Sequence, residues 1–595
     1  MRAVSSSSPN VTWAELIAHL GPVLYAVRSM PDTRTIRQHL ANLVETAARN
    51  AIAAGELPDV ALPEITVERP KDPANGDFAS ALALRLARAA MKQPLEVANA
   101  IARHLPADPA IEPPAVAPPG FINLRLSNAF VQQQVEHIIR EGPAFADLVI
   151  GAGKKAQVEF VSANPTGPLH VGNGRGAAIG DALAAALQAA GYVVEREYYV
   201  NDAGTQADTF TETLYARYQQ LFGREVDIPK DGYPGEYMID LARQIKEEAG
   251  DAFLLPPGEP APEGLSALGI ELMVRYIRQT LDRFGVHYDR WFSEKSLYDP
   301  EGPYDTAMGI LREKGLLANR EGALWFSSSE LGEDKDNVVV RSDGHPTYYA
   351  SDIAYHWDKF VRRKFDLVID VWGADHHGHV SRLKTATKAL GADPEALHIL
   401  LYQLVFLKRS GDAVKLSKRS GELVTLDELI DDVGPDAAKF FFLLRSPGAQ
   451  MDFDLDLAVK QSAENPVFYV QYAHARLCSI LERAKEQGLT PDGGDVALLA
   501  HPSELALIRE MMRLADVIEV VVTSLEPQQL PHYAMSLATA FHAFNDAFKQ
   551  ANDPSLKVIT ENEALSRARL RLVLAARIAL ARVLGLMGMS APEKM

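Results

Sequence analysis

The sequence predicts an α/β protein: a parallel-sheet domain with helices on its faces, preceded by a smaller α/β domain, interrupted by a helical insertion and followed by an all-α domain. Three observations carry that prediction. A strand-like run (156–163), a small-residue helix (about 172–190) and a second strand-like run (192–201) follow one another, an order that implies a right-handed parallel unit. A polar, helix-rich stretch at 205–286 then separates them from further strand-like runs at 366–372 and 398–407, which would complete the sheet. After Asp452 the strand signal stops, and 465–485, 503–525, 531–550 and 563–587 each place apolar residues at helical spacing.

A chain of 595 residues exceeds what one core usually supports, so several domains of roughly 150 residues are expected. Residues 1–30 read as a disordered tail or extension, the first ten being rich in Ser. Residues 31–150 read as the N-terminal α/β domain, in which a Pro-rich stretch at 113–119 precedes a strand at 120–126. The parallel-sheet domain is assigned to 151–410 with its insertion at about 205–286, a connecting segment to 411–460, and the helical domain to 461–595.

Hydrophobic residues at 47% and charged residues at 23% are ordinary globular usage and exclude a fibrous or largely disordered chain. With Cys478 as the only cysteine, no internal disulfide and no cysteine-built zinc site can form. The most apolar stretches are interrupted by charge, as Arg577 and Arg582 interrupt the last one, so no membrane span is expected. No signal peptide is read at 16–27, and the cytoplasm is the expected compartment. A net charge of −18 argues against a nucleic-acid coat protein, and a nucleic-acid partner requires local clusters of cations.

Two segments point to phosphate chemistry. Leu169-His170-Val171-Gly172-Asn173 lies between the first strand and a glycine-rich helix start, where free N–H groups and the helix dipole attract a phosphate and Gly172 admits it closely. His170 could donate to a phosphate oxygen as charge moves to a leaving group. About 245 residues later, Lys415-Leu416-Ser417-Lys418-Arg419-Ser420-Gly421 sets three cations among small residues, a composition suited either to a clamp on a triphosphate or to a solvated basic loop.

The pair resembles the two signatures of class I aminoacyl-tRNA synthetases, and the surrounding residues resemble the arginyl-tRNA synthetase family. The similarity runs through 158–181, Tyr199-Val200-Asn201-Asp202-Ala203-Gly204-Thr205-Gln206, 347–356, Trp372-Gly373-Ala374-Asp375-His376-His377, 415–421 and 434–457, and reaches Gly76-Asp77-Phe78, Gly120-Phe121-Ile122-Asn123, 465–472 and 591–595. It implies a Rossmann-like catalytic domain, an N-terminal domain touching tRNA, and an anticodon-binding helical domain. It also implies arginine–tRNA ligase activity, in which arginine is activated by ATP, entering with Mg²⁺ as substrate, and transferred to tRNA(Arg), with no tightly bound cofactor. The chain is expected to act as a monomer, away from membranes, with activation dependent on bound tRNA.

Residue by residue, the resemblance makes His170, Lys415 and Lys418 catalytic. Pro168, Leu169, His170, Gly172 and Asn173 would bind ATP from the first signature, Asp375 and His379 from the sheet end, and Lys415, Ser417, Lys418 and Arg419 from the second signature. The arginine pocket would comprise Glu159, Ser162, Asn164, Tyr348, Asp352 and His376. Independently, a guanidinium is matched best by a carboxylate offering two coplanar acceptors, which singles out Asp352 and Glu159. Asp352 also reads as a helix N-cap, since an apolar helical run follows it. Phe78, Tyr469, Tyr472, Arg476 and Met595 would touch tRNA, although an aromatic on a helix is also an ordinary core residue. The crowd of His376, His377 and His379 near Asp375 is assigned to substrate contacts and no metal is expected.

The chain departs from the class pattern in having Asn173 where the first signature ends in His, and Leu416 where the second has Met. Asn173 cannot carry a proton, which puts a role in charge stabilisation in question; Leu for Met conserves volume. The alternatives are a small nucleotidyltransferase of the same superfamily, which lacks a helical domain of this size, a synthetase for another amino acid, and a tRNA-binding scaffold without catalysis. The retained Lys415, Ser417 and Lys418 argue against the scaffold.

Overall fold

The structure is a computed structural model that describes residues 36–203, 205–414 and 424–595, so the tail at 1–30 and the 415–421 segment lie outside the described residues. The described residues divide into two compact units, parted after Val131.

In the first unit the helices Ile36–Ala53, Leu82–Ala90 and Pro94–Arg103 accompany a three-stranded antiparallel sheet. Its strands β1 (Phe78–Ser80), β2 (Ala115–Ala117) and β3 (Phe121–Leu124) lie in the order β1-β3-β2. Gly76, at φ +96°, lets the chain pass so close to β3 that a Cβ there would sit 2.9 Å from the Leu124 carbonyl. Phe78 is fully buried with the Arg69 guanidinium 4.6 Å from its ring centre. Its ring is therefore core, with no exposed face.

The second unit is built on five parallel strands: β4 (Lys155–Phe160), β5 (Val193–Val200), β6 (Arg290–Ser293), β10 (Leu367–Gly373) and β11 (Leu397–Tyr402), in the order β11-β10-β4-β5-β6. The chain moves outward from β4 through β5 to β6, then returns to the other side of β4 at β10. The reversal falls between β4 and β10, and ligands of open parallel sheets bind outside the carboxyl ends of strands at such a point. The helix Val171–Ala189 packs on β4 and is buried along nearly its whole length. Small residues make that approach possible, since a Cβ on Gly180 would meet Phe160 Cγ at 2.2 Å.

The insertion consists of the helices Thr205–Gln220, Glu236–Ala249 and Glu263–Arg283. Between β6 and β10 lies an antiparallel sheet of β7 (Leu317–Arg320), β8 (Ala323–Phe326) and β9 (Asn337–Val340), which the sequence patterns did not suggest. The run at 398–407 is not one strand. After Tyr402 the Gln403 N–H turns to the Pro447 carbonyl at 2.9 Å, and β12 (Val405–Arg409) starts a separate sheet with β13 (Asp412–Val414) and β14 (Met451–Asp454). Arg175, fully buried on the Val171–Ala189 helix, holds this corner by donating to the carbonyls of Gln403, Ser446 and Ala449 at 2.7–2.9 Å.

The C-terminal helices Pro466–Glu486, Pro502–Met512, Leu514–Ser524, Gln529–Gln550 and Glu563–Leu586 form a bundle. The expected helix at 503–525 is two helices that meet at Arg513. The sequence reading carried the N-terminal domain to residue 150, whereas the compact division falls after Val131. Gln132 donates to the Leu499 carbonyl at 2.8 Å, Arg571 pairs with Glu136 and Arg582 with Asp147, so this stretch is bound to the bundle.

Candidate active site

At the carboxyl end of β4 the backbone enters the left-handed region at Val161 (φ 68°) and Ser162 (φ 40°), a costly conformation for a β-branched residue. The turn folds Ser162 back so that its hydroxyl donates to Glu159 Oε1 at 2.9 Å and accepts from the Tyr199 N–H at 3.1 Å. Glu159 Oε2 accepts from Lys359 at 2.6 Å, and Lys359 also donates to Asp370 at 2.8 Å. Burial raises the Glu159 pKa, while Lys359 pulls the other way. Burial also opposes the charge on Asp370, but Lys359 and His356 overcome it and hold this group down at about 2.

These carboxylates form a row. Asp370 on β10 faces Glu159 on β4, which faces Glu197 on β5. Lys359 and Arg363, beyond the helix Tyr348–Trp357, and His356 within it supply the compensating cations. His356 Nδ1 lies 2.8 Å from the Asp352 carbonyl and Nε2 lies 2.9 Å from the ionised Asp370. Sequence reading missed this layer; acidic residues inside apolar strand runs were its one visible trace.

Thr347 occupies the N-cap position of the Tyr348–Trp357 helix, so Asp352 lies in the helix interior and is not its cap. Burial pushes the Asp352 pKa up to about 6, despite the opposing effect of His356. Glu294, which sequence reading did not single out, is 4% exposed, and its Oε2 has no hydrogen-bond partner among the described residues. Burial raises its pKa to about 7, and the nearby charges of Asp352 and Asp202 add to the rise. Tyr199, beside both carboxyls, has its phenol pushed upward by burial first and by Glu294 and Asp352 in addition. Tyr348 stands at the helix start, 54% exposed. Asn164, beyond the Ser162 turn, donates its amide to Gln206 of the insertion.

His170 caps the helix Val171–Ala189, its Nδ1 accepting from the Gly172 N–H at 3.1 Å. Asn173 reaches back, its Oδ1 accepting from the His170 N–H at 3.0 Å, which gives this residue a part in shaping the helix start. His170 opens to solvent on one side, while surrounding chain desolvates its ring and lowers its pKa; Asp375, at the end of β10, opposes the shift. Leu169 is buried and offers only backbone, its carbonyl accepting from the Leu426 N–H at 2.7 Å. His376 is exposed between Trp372 and His379, with ring centres 5.9 and 6.0 Å away, and lies 3.5 Å from Asp375.

Lys415, Ser417, Lys418 and Arg419 lie outside the described residues, but the chain that follows them does not. Thr425 forms an antiparallel bridge with His170, and the Val171 N–H donates to the Val424 carbonyl at 3.1 Å. Thr425 also caps the helix Leu426–Val433 in a reciprocal pair with Glu428. Asp427 in that helix accepts from Thr280 at 2.6 Å, from Tyr276 at 3.0 Å and from Arg283, all on the last insertion helix.

On the helical bundle, the Tyr472 ring is 44% exposed and stacks on Phe468 at 5.9 Å and on His542 at 6.1 Å. Tyr469 packs on His542 at 4.9 Å, Arg476 lies near that histidine, and Met595 is 57% exposed. No helix among the described residues is long and apolar enough to cross a membrane.

A parallel sheet whose crevice joins a His-capped helix start to the exit of a lysine-rich segment, with a helical bundle to follow, defines a class I aminoacyl-tRNA synthetase. Comparison with known proteins agrees domain by domain: the family model for the catalytic domain of class I tRNA synthetases (R) matches 134–440, the arginyl-tRNA synthetase N-terminal domain 34–126, and the DALR anticodon-binding domain 470–595. The arginine–tRNA ligase of Dehalococcoides mccartyi is 49% identical over 95% of this chain and all of its own, and that of Carboxydothermus hydrogenoformans 48% identical over 92% and 97%. The Thermus thermophilus arginyl-tRNA synthetase structure shares the fold, with a TM-score of 0.72 at 23% identity over 94% of this chain and all of that one. The chain belongs to the arginyl-tRNA synthetase family.

Proposed function

We propose that this chain joins arginine to tRNA(Arg) in two steps run in the β4/β10 crevice. In the first, an oxygen of the arginine carboxylate attacks the α-phosphorus of ATP, which enters with Mg²⁺. The bond from that phosphorus to the bridging oxygen breaks, and pyrophosphate leaves with the electron pair. In the second, the terminal ribose hydroxyl of tRNA attacks the aminoacyl carbonyl and AMP departs. Both steps depend on positioning and on charge stabilisation.

One observation carries the reading: the bridge between His170 and Thr425 ties the first signature to the chain that follows the second. In this reading Asp352 and Glu294 receive the guanidinium, with Tyr348 over it. Ser162, Asn164 and His376 face the α-amino and carboxylate end, and Glu159, singled out with Asp352 for the guanidinium from the sequence, joins them here because Lys359 already pairs with it. His170, Lys415 and Lys418 stabilise the departing pyrophosphate, with Pro168, Gly172, Asn173, Ser417 and Arg419 along the phosphates and Asp375 and His379 near the nucleoside. Tyr469, Tyr472, Arg476 and Met595 meet tRNA. The enzyme works as a monomer in the cytoplasm, without a tightly bound cofactor, and activates arginine only with tRNA bound.

The test is pyrophosphate exchange into ATP with each of the twenty amino acids offered singly, with and without tRNA(Arg). Exchange with arginine alone, dependent on tRNA, is the expected result. Equal exchange with lysine, or none with arginine, refutes the assignment.

A further inference from the structure

We propose that the helical insertion completes the nucleotide side of the site, with Tyr237 as a positioning residue for the signature turn and Tyr233 as the outer wall of the cavity. The inference rests on reading the crevice around His170 as the seat of ATP. A cavity of about 270 Å³ lies there, lined on one side by His170, Asn173 and Thr425 and on the other by Tyr233 and Tyr237.

Tyr237, in the first turn of the helix Glu236–Ala249, donates its hydroxyl to the Thr166 carbonyl at 2.8 Å. That carbonyl belongs to the turn that runs directly into Pro168, Leu169 and His170. Two glycines admit the ring: a Cβ on Gly167 would lie 3.1 Å from the Tyr237 hydroxyl, and one on Gly235 2.6 Å from its ring. The Tyr233 loop is held from behind, its N–H donating to Thr213 Oγ1 at 3.3 Å and its ring meeting Phe210 edge-on at 6.2 Å. A phosphate chain at the His170 helix start is therefore enclosed by an aromatic wall, where exclusion of water strengthens every charge contact. Fixing the turn acts on His170, while the carboxyl slot is formed by Glu294, in the turn just after β6, and Asp352 of the Tyr348–Trp357 helix. The two tyrosines accordingly act on ATP and pyrophosphate more than on arginine.

The test is tRNA-dependent arginine exchange by the full chain, measured as KM for ATP and for arginine with the thermal unfolding midpoint alongside. Tyr237→Phe removes one hydrogen bond and keeps the ring, and should raise the ATP KM about three- to tenfold, the effect of one hydrogen bond, with the arginine KM within about twofold. Tyr233→Ala should raise the ATP KM at least as much, and Gly167→Ala, which presses a methyl against the Tyr237 hydroxyl, should reproduce the Tyr237→Phe result. An unchanged ATP KM in all three, while His170→Ala abolishes exchange, overturns this inference and leaves the reaction assignment standing. Wild-type exchange by His170→Ala removes ATP from the cavity and overturns both. Equal rises in both KM values with a lowered midpoint would make the tyrosines a structural tether only and also overturn it.

Discussion

Lys359 donates to Glu159 at 2.6 Å from a position with no solvent exposure. A buried ammonium is tolerated only when paired, and here it satisfies two carboxylates at once. Lys359→Met would leave Glu159 and Asp370 facing each other without it. The expected loss is about 3–5 kcal/mol of unfolding free energy, read from denaturant titration. A loss under about 1 kcal/mol would show that His356 alone neutralises the row.

Arginine affinity should depend on pH through Asp352 and Glu294. With pKa values of about 6 and about 7, both carboxyls become neutral as pH falls, and a neutral carboxyl cannot pair with a guanidinium. The arginine KM should rise steadily from pH 8 to pH 5.5, and calorimetry near pH 6.5 should show proton release on arginine binding. For folding the sign is reversed. Both groups hold protons more tightly folded than unfolded, so their stabilisation is full below the unfolded pKa near 4 and is lost as pH rises through 6 and 7. Ligand-free protein should therefore gain stability from Glu294→Gln at pH 8 and not at pH 4; an equal gain at both removes this group from the slot.

Asp352→Ala and Lys418→Ala should separate the two halves of the site. The first removes a charged partner of the substrate and should raise the arginine KM by about ten- to a hundredfold with ATP binding preserved. The second should lower kcat more than it raises the arginine KM, because its charge acts as pyrophosphate departs. Steady-state and single-turnover kinetics distinguish them, and wild-type activation rates for Lys418→Ala would exclude that lysine from the chemistry.

Gly180→Ala should be among the most damaging single-methyl changes in the chain. The added carbon falls 2.2 Å from Phe160, a side chain fully buried on β4, so the helix that carries His170 must move off the sheet. A fall of several degrees in the unfolding midpoint, with reduced ATP affinity, is expected; a wild-type midpoint would mean that Phe160 repacks freely.

The parallel sheet, the insertion and the bundle were legible from strand-like runs around the long small-residue helix Val171–Ala189 and from apolar residues at helical spacing in the bundle. β6 and the β7–β9 sheet were not, being four-residue strands without regular alternation. Among site residues, His170 and Asp352 stood out through motif and chemistry. Glu294 did not, because its significance lies in its burial near Asp352 and Asp202, which no local pattern encodes. The same holds for Lys359, whose neighbours Glu159 and Asp370 come from other strands. The left-handed turn at Val161 was hidden too, since valine there contradicts its own propensity.

The last helix carries five arginines, yet they serve the fold. Arg567 pairs with Glu563, Arg569 with buried Glu504, Arg571 with Glu136 and Arg582 with Asp147, while Arg577 lies against Cys478. Cations already matched inside a protein displace few counterions from a polynucleotide, so this helix should add little to the salt dependence of RNA association. In the proposed reading, selectivity at this end of the molecule then rests on flat rings and shape, for which Tyr472 keeps an exposed face beside its stacked neighbours.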